Sequence, residues 1–129
     1  MTTTILVVDD SRIMRNTVKM VFSGLGISSV FIEADNGEDA LMQLNIYPIE
    51  LVLLDWNMPK LSGLEFLKKV RCTDKFKSLP VVMVTSEAAK YNVIEALKAG
   101  ATDYITKPIN LELFKEKITK LPMYRAYRR

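Results

Sequence analysis

Four places in this sequence carry side chains suited to phosphoryl chemistry: Asp9-Asp10, Asp55, Thr85-Ser86 and Thr106-Lys107-Pro108. Each follows directly on a short apolar run, at residues 5–8, 51–54, 81–84 and 104–105. If those runs are strands of one open parallel sheet, ligands bind beyond their carboxyl ends, near the point where strand order reverses. Acids, a hydroxyl and a lysine then converge on one edge. Three carboxylates gathered there repel one another, since unit charges ~4 Å apart interact by roughly 4 kcal/mol near a protein surface. A hard divalent cation relieves that repulsion, and Mg²⁺ favours a few carboxylates completed by water and phosphate oxygens. Lys107 supplies a second positive charge as a mobile point donor. A carboxylate beside such a cation and an ammonium, with a hydroxyl opposite, can attack phosphorus and become an acyl phosphate. Taken singly each signal is weak: strand-end acids also cap helices, and a lone lysine is as readily a solvated loop residue. Their joint placement is what points to a site.

The elements that must position these groups are legible from periodicity. Five short apolar runs, most of them rich in β-branched residues, read as buried strands: the four already named and residues 30–32. Between them the spacing turns helical, at Met14/Val18/Val21/Leu25, Ala40/Leu41/Leu44, Leu64/Leu67/Val70 and Ile94/Leu97. A fifth helix follows the last strand, with Leu111, Phe114, Ile118 and Leu121 as its apolar stripe. Alternation of strand and helix five times predicts an α/β fold, a five-stranded parallel sheet with helices on both faces. Ser11 or Asp10, Ser62 and Asn110 are candidate N-caps, and Gly24, Gly26 and Gly100 stand after helices where a left-handed residue is useful. The domain is expected to span residues 1–121. Residues 122–129 form a short basic aromatic tail, expected to be a frayed terminus, with contact to a partner as the alternative.

Composition narrows the function classes. A chain of 129 residues, 49% hydrophobic and 26% charged, suits one ordinary globular domain. The net charge of +3 comes from Lys and Arg interleaved with acids, which gives little support to nucleic-acid binding. No stretch approaches the ~20 apolar residues of a membrane span, and the first apolar run is too short for a signal-peptide core. A cytoplasmic monomer with no nucleic-acid or membrane partner is the expectation. There is no histidine, which removes Ser-His and Cys-His nucleophile pairs, imidazole zinc sites and a phosphohistidine-carrier role. The single cysteine, Cys72, can form no internal disulfide and reads as an ordinary thiol. No Gly-rich phosphate loop follows the first strand, which argues against a nucleotide hydrolase.

Over about residues 4–121 the sequence resembles the response-regulator receiver family, and its chemotaxis branch most closely. The motifs are Leu6-Val7-Val8-Asp9-Asp10-Ser11, Asp55-Trp56-Asn57-Met58-Pro59, Met83-Val84-Thr85-Ser86-Glu87-Ala88 and Tyr104-Ile105-Thr106-Lys107-Pro108. The resemblance implies a flavodoxin-like doubly wound sheet of order 2-1-3-4-5 with five helices. It makes Asp55 the phosphoacceptor. Asp10, Asp55 and the backbone carbonyl of Asn57 become ligands of Mg²⁺, with Asp9 acting through water. Thr85 would hydrogen-bond the phosphoryl group, Lys107 would contact its oxygens, and Tyr104 would swing inward as a switch; read without the family, Tyr104 is simply an aromatic half-buried on the sheet. Asn57 and Glu87 would tune dephosphorylation, though they also read as exposed loop residues. The Lys107-Pro108 bond is a candidate cis peptide. Lys90, Tyr104 and Lys117 fall on the implied output face, with solvated surface as the other reading of the lysines. The implied protein is not an enzyme acting on other molecules but a switch that catalyses its own phosphorylation and autodephosphorylation. Its implied partners are a histidine kinase of the chemotaxis (CheA-like) kind and a flagellar motor switch protein, with an assisting phosphatase left open. A stand-alone receiver adaptor, or a piece of a longer regulator outside chemotaxis, is the alternative.

Overall fold

A strand covered on both faces has no polar side to present, so continuous apolar runs become the inner strands of a parallel sheet. In the computed structural model, which describes residues 2–86 and 90–127 with the side chains of 90–92 excepted, those inner strands are β1 (Thr3–Val8), β3 (Leu51–Leu54) and β4 (Val81–Ser86). The edge strands, β2 (Ser29–Ala34) and β5 (Asp103–Lys107), are only partly buried and carry mixed sequence. All pairings are parallel and the order is β2-β1-β3-β4-β5. The chain therefore turns one way from β1 to β2 and the other way from β3 onward, placing the reversal between β1 and β3.

Because successive strand side chains point to opposite faces, the sheet divides its apolar residues between two cores. Ile5, Val7, Leu53, Val82 and Val84 meet Val18 and Phe22 of α1 (Arg12–Ser23) and Phe114 and Ile118 of α5 (Leu111–Thr119). Leu6, Val8, Val52, Leu54 and Met83 meet Leu44 of α2 (Gly37–Ile46), Phe66, Leu67 and Val70 of α3 (Gly63–Arg71) and Ala96 of α4 (Lys90–Lys98). Ser11, Asn36, Ser62 and Asn110 each accept a hydrogen bond from the N–H three residues on, and Ser62 completes a reciprocal capping box with Glu65.

The helix expected around Ile94 and Leu97 forms as α4 but packs by another residue, and the expectations for Leu111 and Gly24 need correction. Ile94 and Leu97 are 51% and 45% exposed; α4 instead seats the small Ala96 on the sheet, because a short side chain lets the helix approach closely. Leu111 is likewise 65% exposed at the start of α5, while Phe114, Ile118 and Leu121 are buried as the stripe predicts. Of the three glycines, Gly26 and Gly100 take positive φ (77° and 107°), but Gly24 has the right-handed φ of −63° and simply ends α1.

The C-terminal segment is not frayed over its described part. Pro122–Tyr127 forms a 3₁₀ helix, and Tyr124 is wholly buried against Phe22, with ring centroids 5.7 Å apart. Its hydroxyl lies 2.6 Å from that of Thr3, which is itself wholly buried at the start of β1. Two aromatic residues in a basic stretch suggest a solvated tail until tertiary packing offers them a pocket. Tyr124→Phe leaves the Thr3 hydroxyl without its partner, so a stability loss of about 1–2 kcal/mol is expected. Urea unfolding checks it, and an unchanged midpoint would contradict this role of the hydroxyl.

Candidate functional site

Sheet register brings the acids together. Val8 pairs with Leu54, so Asp9 and Asp55 leave adjacent strands at the same level; the Asp55 N–H donates to the Val8 carbonyl at 2.9 Å, and the Asp9 N–H to that of Ala34 at 3.1 Å. Farther along the sheet Thr85 pairs with Thr106, and Ser86 with Lys107. Asp9, Asp55 and Thr85 are buried, whereas Asp10 is exposed. One carboxylate oxygen from each of Asp9, Asp10 and Asp55 lies within 4.8 Å of the other two.

Lys107 reaches back across the sheet into this cluster. Its Nζ donates to Asp9 Oδ2 at 3.1 Å and to Asp55 Oδ1 at 3.4 Å. The Lys107-Pro108 peptide is cis. The other oxygen of Asp9 accepts from the Ser11 N–H at 2.9 Å, and Arg15 Nη1 donates to the Asp9 carbonyl at 2.7 Å while its Nε pairs with Glu33. The loop carrying Asp9 and Asp10 is thus held from both sides.

Burial, together with the neighbouring Asp9 charge, pushes the Asp55 carboxyl up to about 6, against the opposing pull of Lys107 and of the Trp56 N–H. Burial alone would lower Lys107, but the charges of Asp55 and Asp9 and the bonds to them outweigh it and hold the ammonium above its ordinary value. Among the described residues the Lys107 ammonium bonds two of the three clustered carboxylates, Asp9 and Asp55. The uncompensated negative charge and the all-oxygen donor set fit a hard divalent cation such as Mg²⁺, which Asp9, Asp10 and Asp55 could hold between them.

The remaining expected residues are more dispersed. Asn57 is exposed in the loop after Asp55, and Glu87 and the side chain of Lys90 lie outside the described residues. Tyr104 is half-buried on β5, paired with Met83, and Lys117 of α5 lies over its ring. Sequence reasoning missed Gly63. A Cβ built there would stand 2.2 Å from the Asp55 carbonyl oxygen, and its N–H donates to the Trp56 carbonyl at 3.0 Å. A glycine placed just after the Ser62 cap, where helices rarely want one, was the available signal.

A doubly wound sheet of this order, with paired aspartates after β1, a buried aspartate after β3 and a lysine after β5, is the architecture of a response-regulator receiver. The family description "Response regulator receiver domain" matches residues 5–119, and the chain belongs to that family. Among its relatives, chemotaxis protein CheY1 of Helicobacter pylori is 45% identical over 115 residues, covering 88% of this chain and 92% of that protein. Chemotaxis protein CheY of Pseudomonas aeruginosa is 41% identical over 117 residues, covering 91% and 94%. The crystal structure of Vibrio cholerae chemotaxis protein CheY4 at low pH superposes with a TM-score of 0.81 at 29% identity, covering 94% of this chain and 99% of that one. Among the described residues no helix is long and apolar enough to cross a membrane.

Proposed function

We propose that this response regulator is a phosphorylation-driven switch of the chemotaxis type, taking its phosphoryl group on Asp55 from a histidine kinase and acting on the flagellar motor switch. The observation that carries the reading is the Asp9/Asp10/Asp55 cluster with the Lys107 ammonium bonded into it. An Asp55 carboxylate oxygen attacks the phosphorus of a phosphohistidine. The new O–P bond forms as the P–N bond breaks, and the leaving imidazole takes up a proton from solvent. Bound Mg²⁺ would supply neutralisation of the charge on the transferred oxygens. Lys107, already within reach of Asp55, supplies the second cation, and it exchanges a carboxylate partner for a phosphoryl oxygen without a large movement. The buried Thr85 hydroxyl then donates to the phosphoryl group, and inward movement of Tyr104 shifts a pre-existing equilibrium toward the partner-binding state. The high identity to chemotaxis regulators supports the flagellar target and a cytoplasmic setting.

Phosphotransfer from a candidate kinase, with and without EDTA, followed by capture on motor switch protein, tests this reading. Labelling that needs Mg²⁺ and raises capture is expected; labelling without any change in capture would favour an adaptor. Lys107→Ala is expected to slow labelling but leave it measurable, while removing the gain in partner affinity that phosphorylation brings, a coupling of order 10-fold. A normal gain in the labelled variant would contradict the role given to Lys107.

A further inference from the structure

We propose that Lys117 is the positioning residue that holds the half-buried Tyr104 ring in its resting place, so that the switch side chain must leave a cationic clasp in order to move inward. The inference rests on the reading of Tyr104 as the switch. Lys117 Nζ stands 3.8 Å from the centroid of the Tyr104 ring, well inside the ~6 Å within which an ammonium is attracted to an aromatic face. The same ammonium donates to the Tyr104 carbonyl at 2.5 Å and to Asp103 Oδ1 at 3.3 Å, while Asp103 also accepts the Tyr104 N–H at 2.8 Å. Its three donor directions are therefore committed to one dipeptide of β5, and the lysine side chain is only 21% exposed.

A lysine that merely tied α5 to β5 would need Asp103 and the carbonyl, neither of which has to move when the switch operates. The ring contact is different, because it binds the ammonium to the one part of the dipeptide that is expected to relocate. Inward rotation of Tyr104 breaks this contact alone and leaves the other two in place. The clasp therefore biases the equilibrium toward the resting ring position, and the same event frees one donor direction of Lys117 beside the departed ring. Coupling of this kind is reciprocal: whatever draws the lysine away from the ring favours the inward tyrosine by the same factor.

The test uses the full chain with fluorotyrosine installed only at position 104, observed by ¹⁹F NMR with and without beryllofluoride and Mg²⁺. In the wild type, beryllofluoride is expected to displace the resonance toward an inward position. Lys117→Met, which keeps an apolar stem and removes the ammonium, should displace the resting resonance in the same direction, corresponding to about a two- to fivefold larger inward population for a contact of this exposure. Lys117→Arg, whose guanidinium can stack on the ring, should restore the wild-type position. A resting Lys117→Met resonance identical to wild type, with a normal response to beryllofluoride, would overturn the clasp and leave the switch reading standing. A wild-type resonance that ignores beryllofluoride would remove the switch reading and the clasp with it. Lys117→Gln repeats the measurement with a polar side chain, and a displacement confined to the Met variant reports altered packing and overturns the inference.

Discussion

Asp55→Asn is expected to abolish labelling by acetyl phosphate while making the metal-free protein more stable at neutral pH. The first effect follows from removing the nucleophilic carboxylate, since an amide oxygen forms no stable acyl phosphate. The second follows from the ionisation of Asp55, whose carboxyl is pushed from 3.8 up to about 6 in the folded chain. Below pH ~4 both the folded and the unfolded carboxyl are protonated and the group is neutral in its effect. As pH rises toward 6 the unfolded carboxyl ionises first, so stability is lost across that window and stays lost above it. Each unit is worth 1.36 kcal/mol, which sets an upper limit of about 3 kcal/mol; solvent in the open cleft reduces this to about 1–2 kcal/mol. Urea unfolding in EDTA between pH 4 and 8 checks the sign. The variant should gain on the wild type as pH rises and match it near pH 4. A variant less stable than wild type at pH 7, or one labelled to the wild-type level, would refute the respective half of the prediction. Adding Mg²⁺ should stabilise the wild type by about 1.4 kcal/mol at ten times its dissociation constant and the variant by less.

Gly63→Ala carries the second large effect, and here two physical terms oppose each other. Alanine is the better helix former by about 0.5–1 kcal/mol, so propensity alone predicts a gain at the start of α3. The added methyl, however, would stand 2.2 Å from the Asp55 carbonyl oxygen and 3.0 Å from the Trp56 Cα, and backbone atoms cannot step aside as a side-chain tip can. The clash wins. A net destabilisation of about 2–3 kcal/mol is expected, in the range of overpacked interiors, together with weaker Mg²⁺ quenching of Trp56 fluorescence because the Asp55 backbone must shift. Gly26→Ala is the matched control: its φ of 77° disfavours a side chain, yet nothing lies within 4 Å of the added carbon. That change should cost about 1 kcal/mol and leave Mg²⁺ binding alone. Equal metal affinity in both variants would mean that Gly63 has no bearing on the site.

These two glycines show why some of the molecule was legible in advance and some was not. Gly26 follows a helix, where local backbone conformation asks for glycine, and the sequence pattern alone marks it. Gly63 is required by the close approach of a loop carrying the site, which the local pattern betrays only as an unexpected glycine after the Ser62 cap and does not explain. The same division runs through α4 and the C-terminal segment. Ile94 and Leu97 have helical spacing and still face outward, since the side chain that fits under the helix is the smaller Ala96. Tyr124 belongs to a basic stretch and is nevertheless buried, because Phe22 and Thr3 offer it an aromatic wall and a hydroxyl.

What the amino-acid sequence determined by itself is the set of elements and the chemical inventory at their ends. Strands covered on both faces must be continuously apolar, helices must repeat every three to four residues, and caps are local hydrogen bonds; all three are written within a few consecutive positions. The identities of Asp9, Asp10, Asp55, Thr85 and Lys107 at the strand ends belong to the same class of information. Only the tertiary structure decided that the side chains of Asp9, Asp10, Asp55 and Lys107 meet. The Lys107 contacts span 98 residues to Asp9 and 52 to Asp55, and they exist because Val8 registers with Leu54 and β5 lies two strands from β3 in the sheet. The clasp of Lys117 on Tyr104 depends in the same way on how α5 lies against the sheet edge. Separations of that length are fixed by packing, through burial and register acting on the whole chain at once, and no window of neighbouring residues contains them.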